Sequence, residues 1–414
     1  MPIEALRCKE CGTEYDLDAR YVCEQCFGPL EVAYDFTRLD AAETRRRIQA
    51  GSAGIWRYAD FLPFDGGPPA TRGSLEPGLT PLVRADRLAE RLGVREVWVK
   101  NDAANPTHSF KDRVVAVALA KARELGFETV ACASTGNLAN SVAAHAAALG
   151  LESYVFVPAD LEEQKLLATG VYGTRLVGVN GSYDDVNRLC TQLCETRPWA
   201  FVNVNLRPYY AEGSKTLAYE IAEQLGWQLP DRVVCPIASG SLFTKIGRGF
   251  GEWLELGLLD GELPAFNGAQ AAGCSPVAEA FAEGRNVCRP QRPDTIAKSL
   301  AIGDPADGPY AVELAQKTGG SVESVTDDEI RAGIRLLAET TGIFTETAGG
   351  VTTAVLAKLA GAGAIDSDER VVVVITGEGL KTLDAVREGH SVEEIEPTLA
   401  SFEAIEGVPE ITTV

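Results

Sequence analysis

The sequence predicts an α/β chain: two parallel-sheet domains behind a small segment of paired cysteines. Three observations carry this. Short apolar runs alternate with amphipathic or alanine-rich helical stretches from residue 94 onward, the grammar of parallel strands joined by helices. One run, Val371-Val372-Val373-Val374-Ile375-Thr376, has no polar face, as expected of a strand covered on both sides. And 414 residues are too many for one ordinary core.

Near the start, Cys8-x2-Cys11 and Cys23-x2-Cys26 form two knuckles. This spacing suits a closed tetrahedral four-thiolate zinc site, which leaves no position for a substrate, so a structural Zn2+ on Cys8, Cys11, Cys23 and Cys26 is expected. So short a segment buries too little surface to fold without such a staple. Residues 40 to 80 read as irregular, with a loop at Gly66-Gly67-Pro68-Pro69. A short amphipathic helix spans Ala85 to Leu92, stopped by Gly93. The strand Val97-Val99 precedes Pro106-Thr107-His108-Ser109-Phe110-Lys111-Asp112-Arg113 and an apolar helix from Val114 to Leu125.

Strand Thr129-Ala133 leads through Ser134-Thr135-Gly136-Asn137 into a helix from Leu138 to Leu149. Strands at 153–157, 175–179 and 200–202 follow, the last two separated by a helix around Tyr183 to Glu195. The second half repeats the pattern. A helix from Ser214 to Leu225 precedes strand Val233-Cys235, which runs into Pro236-Ile237-Ala238-Ser239-Gly240-Ser241 and a helix beginning near Leu242. A polar helix at 327–340 and an apolar one at 350–359 precede the valine strand, which ends in Thr376-Gly377-Glu378-Gly379-Leu380.

Apolar residues make up 45% and charged residues 23% of the chain, within the globular range. Net charge is −21, which argues against a nucleic-acid or anionic-membrane partner. The N-terminus has no apolar signal core, and no apolar run is long enough to span a bilayer, so the cytoplasm is the expected compartment. There the six scattered cysteines (Cys132, Cys190, Cys194, Cys235, Cys274, Cys288) read as reduced, buried small hydrophobes.

Four strand ends carry chemistry. Ser109 and Asp112 have the spacing of a helix-start box, which puts Lys111 in the first helical turn. An ammonium is costly to bury there, and the positive end of the helix dipole lowers its pKa, the condition imine chemistry requires. Ser134-Thr135-Gly136-Asn137 offers hydroxyls, an amide and a helix-start nest for a carboxylate or phosphate. Ala238-Ser239-Gly240-Ser241-Leu242 offers a second nest, and Thr376 a hydroxyl at a buried strand end. Together these suit pyridoxal 5'-phosphate: Lys111 for the aldehyde, the second nest for the phosphate, Asn137 for the phenolic oxygen, Thr376 for the ring nitrogen.

The stretch Pro106-Thr107-x-Ser109-Phe110-Lys111-Asp112-Arg113 resembles the lysine motif of threonine synthases, in the fold-type II (tryptophan synthase β-like) group of pyridoxal-phosphate enzymes. Ser134-Thr135-Gly136-Asn137 is similar to that group's asparagine loop, and Thr376-Gly377-x-Gly379-Leu380-Lys381 to its ring-nitrogen motif. The ribbon leading into Gly28-Pro29-Leu30-Glu31-Val32 resembles the start of many threonine synthases. The resemblance runs from about residue 7 to 390 and departs at two places. His108 stands where a small residue is common, and packing is its expected role. Ala238-Ser239-Gly240-Ser241-Leu242 replaces a frequent Gly-Asn-x-Gly-Asn.

The resemblance implies conversion of O-phospho-L-homoserine and water to L-threonine and phosphate. Lys111 would be the cofactor-bearing and catalytic residue. Ser134, Thr135 and Gly136 would hold the α-carboxylate, and Asn205, Arg207 and Lys215 the substrate phosphate. The expected organisation is a ribbon at 1–36, a large cofactor-binding domain at 37–94 and 204–414, a small domain at 95–203, and a homodimer. Alternatives of the same chemistry are cysteate synthase, threonine dehydratase and cysteine synthase; one of another class is a non-catalytic binding protein of the same fold.

Overall fold

A computed structural model describes residues 2–65, 75–387 and 392–405. The loop expected at Gly66–Pro69 lies outside them. In chain order, β1 (Ile3–Cys8), β2 (Glu14–Tyr15) and β3 (Leu30–Tyr34) are followed by α1 (Ala41–Ala50), β4 (Leu82–Arg84), α2 (Asp86–Leu92) and β5 (Glu96–Asn101). Then come α3 (Lys111–Glu124), β6 (Thr129–Ala133), α4 (Asn137–Leu149), β7 (Glu152–Pro158), α5 (Glu163–Gly170), β8 (Arg175–Val179), α6 (Tyr183–Thr196) and β9 (Ala200–Phe201). The remainder is α7 (Arg207–Glu212), α8 (Thr216–Gln224), β10 (Arg232–Pro236), α9 (Ser241–Glu255), β11 (Ala265–Ala271), α10 (Pro276–Ala282), α11 (Gly308–Lys317), β12 (Ser321–Val325), α12 (Asp327–Thr341), α13 (Thr347–Gly361), β13 (Arg370–Ile375) and α14 (Leu399–Glu403).

Among the described residues these strands form three sheets: β2-β1-β3, β12-β11-β10-β13-β5-β4 and β8-β7-β6-β9. The large sheet is parallel except for β4, and the four-stranded sheet is wholly parallel. The valine run is the interior strand β13, between β10 and β5. Its side chains alternate between two layers. Val372 and Val374 pack with Phe243, Phe250 and Trp253 of α9, while Val371, Val373 and Ile375 pack with Ile334, Val351 and Val355 of α12 and α13. Period-two alternation with both faces covered is why this strand has no polar side. In the smaller sheet, Val130 and Cys132 face α3 and α4, and Ala131 and Ala133 face α6.

Two expectations need correction. Residues 40 to 80 are not uniformly irregular: Asp40 caps α1 through a bond from Glu43 N, and Ile55–Phe61 forms a 3-10 segment. And the boundary expected at residue 95 falls too early. Strand β5 pairs in register with β13 from Glu96↔Arg370 to Asn101↔Ile375, so it belongs to the large sheet. The strand at Val97-Val99 is visible in the sequence, but its sheet partner β13 lies too far away in sequence for the pairing to be read from spacing.

The ribbon shares a core with the small sheet: Leu6, Cys8, Leu30 and Val32 cluster with Val115, Leu119 and Tyr209. No helix among the described residues is long and apolar enough to cross a membrane.

Candidate active site

Strands β5, β13 and β10 are parallel neighbours, so their carboxyl ends open on one edge of the large sheet, where ligands of such sheets sit. The chain leaving β5 crosses that edge on its way to α3. Phe110 N donates to Thr376 O at 2.9 Å, Ser109 bridges Gly377, and Glu378 N donates to His108 O at 3.2 Å. The lysine stretch and the threonine motif, 265 positions apart from Lys111 to Thr376 (376 − 111), are therefore stitched together through their backbones.

Lys111 opens α3 and is half-buried, its Nζ 3.0 Å from Tyr210 Oη and 4.5 Å from the centre of the Phe110 ring. The helix-start box expected for Ser109 and Asp112 does not form. Ser109 Oγ accepts from Lys111 N at 3.3 Å, but the Asp112 carboxylate reaches past Ser109 to Thr107, accepting from its N at 2.6 Å and its Oγ1 at 2.7 Å. Ser141 Oγ at 2.6 Å and His145 Nε2 at 3.2 Å, both from α4, complete its shell. Burial pushes the Asp112 carboxyl up, but the bonds from His145, Ser141 and Thr107 outweigh it and hold it below the usual range. The reason for the longer reach is His108, whose φ of 61° turns the chain back over the helix start.

Packing is not the role of His108. It is exposed and occupies a left-handed position, which explains why a small residue is common there. His108→Gly is expected to raise stability by about 1 kcal/mol and His108→Val to lower it, read from denaturant midpoints.

Arg113 lies two residues beyond Lys111 and is fully buried. It makes two bonds to Asp102 (2.6 and 2.8 Å) and two to Glu220 (2.5 and 2.7 Å), with Thr216 and Thr80 each at 3.0 Å. Lys100 of β5 reaches the same Glu220 at 2.6 Å. This cluster ties the lysine helix to β5 and α8.

Asn137 and Thr376 meet around a residue the sequence did not single out. Asn137 Nδ2 donates to Glu346 Oε2 at 2.9 Å, and Thr376 Oγ1 lies 3.4 Å from Glu346 Oε1. Lys381 Nζ donates to Asn137 Oδ1 at 2.8 Å and to Thr107 O at 2.6 Å. The glycines of the motif now have a reason. A Cβ on Gly377 would stand 2.5 Å from the Glu346 carboxyl, and one on Gly379 would strike the Phe344 ring at 2.5 Å. Glu346 was legible only as a lone acid before an apolar helix, Lys381 as part of a matched motif, and Tyr210 as one of a tyrosine pair.

The second nest sits at the carboxyl end of β10. Gly240, at φ 100°, caps α9, and a Cβ there would lie 2.6 Å from Asp307 O. Asp307 N in turn donates to Ser239 O at 2.8 Å. The first turn of α9, Ser241 and Leu242 included, thus starts from a fixed bend, with amides suited to a phosphate. Ala238, Ser239, Ser241 and Leu242 are all half-buried. Ser134 follows β6, and its Oγ accepts from Gly136 N at 3.3 Å, shaping the turn that carries Thr135 toward Asn137.

Two of the expected substrate-phosphate donors are not available. Lys215 is fully buried and paired with Glu212 at 2.7 Å and Glu252 at 3.0 Å. Asn205 is spent on backbone, accepting from Phe201 N at 2.8 Å and donating to Trp199 O at 3.1 Å. Helix α7 closes onto α9 and the ribbon, so what reads in sequence as an open cationic turn becomes an internal ionic layer. Arg207 stays partly exposed, 2.9 Å from Asp307 beside the Gly240 bend.

The four cysteine sulfurs of the ribbon lie within 4.8 Å of one another, with Cys8–Cys26 and Cys11–Cys23 each at 3.5 Å. A tetrahedron with Zn–S bonds of about 2.3 Å has edges of about 3.8 Å, so the set fits a zinc ion. The scattered cysteines are all free thiols, buried except for the half-buried Cys194.

Comparison with known proteins agrees with this architecture. Residues 74–377 match the family model described as pyridoxal-phosphate dependent enzyme. The chain is 40% identical to a threonine synthase of Methanocaldococcus jannaschii over 92% of its own length and 93% of the relative's. It is 38% identical to a threonine synthase of Methanosarcina acetivorans, covering 91% and 92%. Among solved structures it is similar to threonine deaminase isoform 2 of Solanum lycopersicum (TM-score 0.65, 19% identity, 94% and 93% covered). A fungal L-serine ammonia-lyase from Rhizomucor miehei gives a TM-score of 0.64 at 21% identity, with 75% and 97% covered. The lysine helix, the asparagine turn and the threonine strand end, gathered at one sheet edge, agree with these matches: the chain belongs to the pyridoxal-phosphate-dependent enzymes, in the threonine synthase family.

Proposed function

We propose that the chain converts O-phospho-L-homoserine and water to L-threonine and phosphate. The observation that carries this is the joining of Lys111, Asn137 and Thr376 at one sheet edge, in a chain whose relatives over nine-tenths of its length are threonine synthases. Pyridoxal phosphate, when bound, supplies an aldehyde that captures amines and a ring that withdraws the electron pair left at Cα. Lys111 Nζ is the group for covalent attachment and, once released, the base for the Cα proton. Tyr210 Oη holds that nitrogen at hydrogen-bond distance. Asn137 serves the phenolic oxygen, Thr376 the ring nitrogen, and the amides of Ser239 to Leu242 the cofactor phosphate.

Ser134, Thr135 and Gly136 offer a carboxylate turn one step before Asn137. Arg207 is the remaining candidate for a substrate anion, in competition with Asp307. A hydroxyl at Thr376, unlike a carboxylate, does not hold a proton on the ring nitrogen, which suits elimination followed by water addition.

The deciding assay measures phosphate released from O-phospho-L-homoserine and, separately, from O-phospho-L-serine with sulfite. Threonine and phosphate in equal amounts from the first are the expected products. Release from the second alone would replace this reading with cysteate synthesis.

Zinc in the ribbon is proposed on the same footing, supported by the sulfur spacing. Elemental analysis of the purified protein is expected to find about one zinc per chain, with proteolysis after chelation beginning in residues 8–28.

A further inference from the structure

The two side chains assigned to the polar ends of the cofactor ring share one neighbour. Glu346 is the cap residue of α13 and only 4% exposed. Its backbone is pinned by Glu346 N donating to Gly377 O at 3.1 Å, and its carboxyl lies against Gly377, where any Cβ would displace it. From that fixed place Oε2 accepts from Asn137 Nδ2 at 2.9 Å, and Oε1 stands 3.4 Å from Thr376 Oγ1.

We propose that Glu346 is a positioning residue that fixes both which edge of the Asn137 amide and which side of the Thr376 hydroxyl face the cofactor ring. The proposal rests on the pyridoxal-phosphate reading above and deepens it. The amide is held from both ends. The Lys381 ammonium takes its oxygen at 2.8 Å and Glu346 its nitrogen, so a flipped amide would set NH2 against a cation. One N–H of Asn137 is used by Glu346, and the second is left to donate to a phenolic oxygen.

The hydroxyl follows similar logic. Thr376 Oγ1 has one proton to give. If Glu346 is a carboxylate, it takes that proton, and Thr376 offers the ring nitrogen only a lone pair, which requires a protonated ring. If Glu346 carries a proton, it donates to Thr376 Oγ1 and releases the threonine O–H for an unprotonated ring nitrogen. Burial pushes the Glu346 carboxyl up, against the bonds from Asn137 and Thr376 and the charges of Lys381 from the 379–386 segment and Lys111 from α3. In either state Glu346 decides whether Thr376 presents its O–H or its lone pair to the ring nitrogen.

The test has one arm without cofactor and one with it. In the cofactor-free protein, labelled with 15N-asparagine, hydrogen exchange of the Asn137 side-chain amide is followed, the resonance being identified by its loss in Asn137→Asp. Glu346→Ala is expected to reduce protection roughly tenfold or more. Glu346→Gln, which can accept from Asn137 and donate to Thr376, should retain it. Gly377→Ala leaves every polar group in place and should behave like Glu346→Ala by displacing the carboxyl.

With cofactor 15N-labelled at the ring, the shift of the ring nitrogen reports whether it meets the proton or the lone pair of the Thr376 hydroxyl. Glu346→Ala should move that shift and raise the cofactor Kd roughly tenfold or more. Unchanged amide protection in both Glu346→Ala and Gly377→Ala overturns the proposal, as does a ring-nitrogen shift that is the same in wild type and Glu346→Ala. A protein that takes up no cofactor defeats the pyridoxal-phosphate reading instead, and the amide arm still decides whether Glu346 holds Asn137.

Discussion

Lys111→Ala is expected to lower phosphate release from O-phospho-L-homoserine by at least about a thousandfold and to abolish the visible absorption of cofactor bound to the protein. The reason is local. Lys111 presents a half-buried Nζ at the sheet edge, with a phenol as its hydrogen-bond partner. No second amine can replace it without rearrangement. Lys381 is committed to Asn137 Oδ1 and Thr107 O, and Lys215 and Lys100 are sealed in ionic clusters. A variant that keeps cofactor absorbance and most of its activity would remove Lys111 from the mechanism. Tyr210→Phe makes the contrast: it should keep the absorbance yet lose roughly ten- to a hundredfold in turnover, the worth of a hydrogen bond to a charged nitrogen.

Arg113→Ala is expected to be the most damaging single change to stability, at about 3–5 kcal/mol. Removing the guanidinium leaves Asp102 and Glu220 buried, with Lys100 as the remaining cation between them at 0% exposure. Desolvation that was offset by four charge-assisted bonds is then uncompensated. The denaturation midpoint reports this directly, and a shift equal to that of a surface arginine such as Arg46 would refute it.

The same cluster contributes to the acid limb. Burial pushes the Glu220 carboxyl up, but Arg113 and Lys100 outweigh it and bring it down to about 2, against 4.5 when unfolded. A folded pKa below the unfolded one contributes stability that is complete above pH 4.5 and drains away as pH falls toward about 2. Stability measured against pH should therefore fall across that window, and it should fall less steeply in Glu220→Gln, which has no carboxyl to protonate.

The sequence by itself determined what depends on local chemistry and on period. Cysteine spacing placed four sulfurs that do converge. The unbroken valine run marked an interior strand, because a parallel strand covered on both faces has no position for a polar side chain. The motifs singled out Lys111, Asn137 and Thr376 only as a set: a lysine at a helix start, an asparagine after a strand and a hydroxyl at a strand end are weak signals singly, and their order along the chain joins them.

Only the tertiary structure decided which charged residues are free. Asn205 and Lys215 read as anion donors because their partners, Trp199 O and Glu252, could not be matched to them from spacing. The helix-start box at Ser109 failed because a left-handed His108 aimed Asp112 at Thr107. Glu346 belongs to no motif; its place depends on a glycine 31 positions away (377 − 346) having no side chain. A carboxyl's role is set by what lies within about 3 Å of it, and across separations this long in sequence that is a property of the fold.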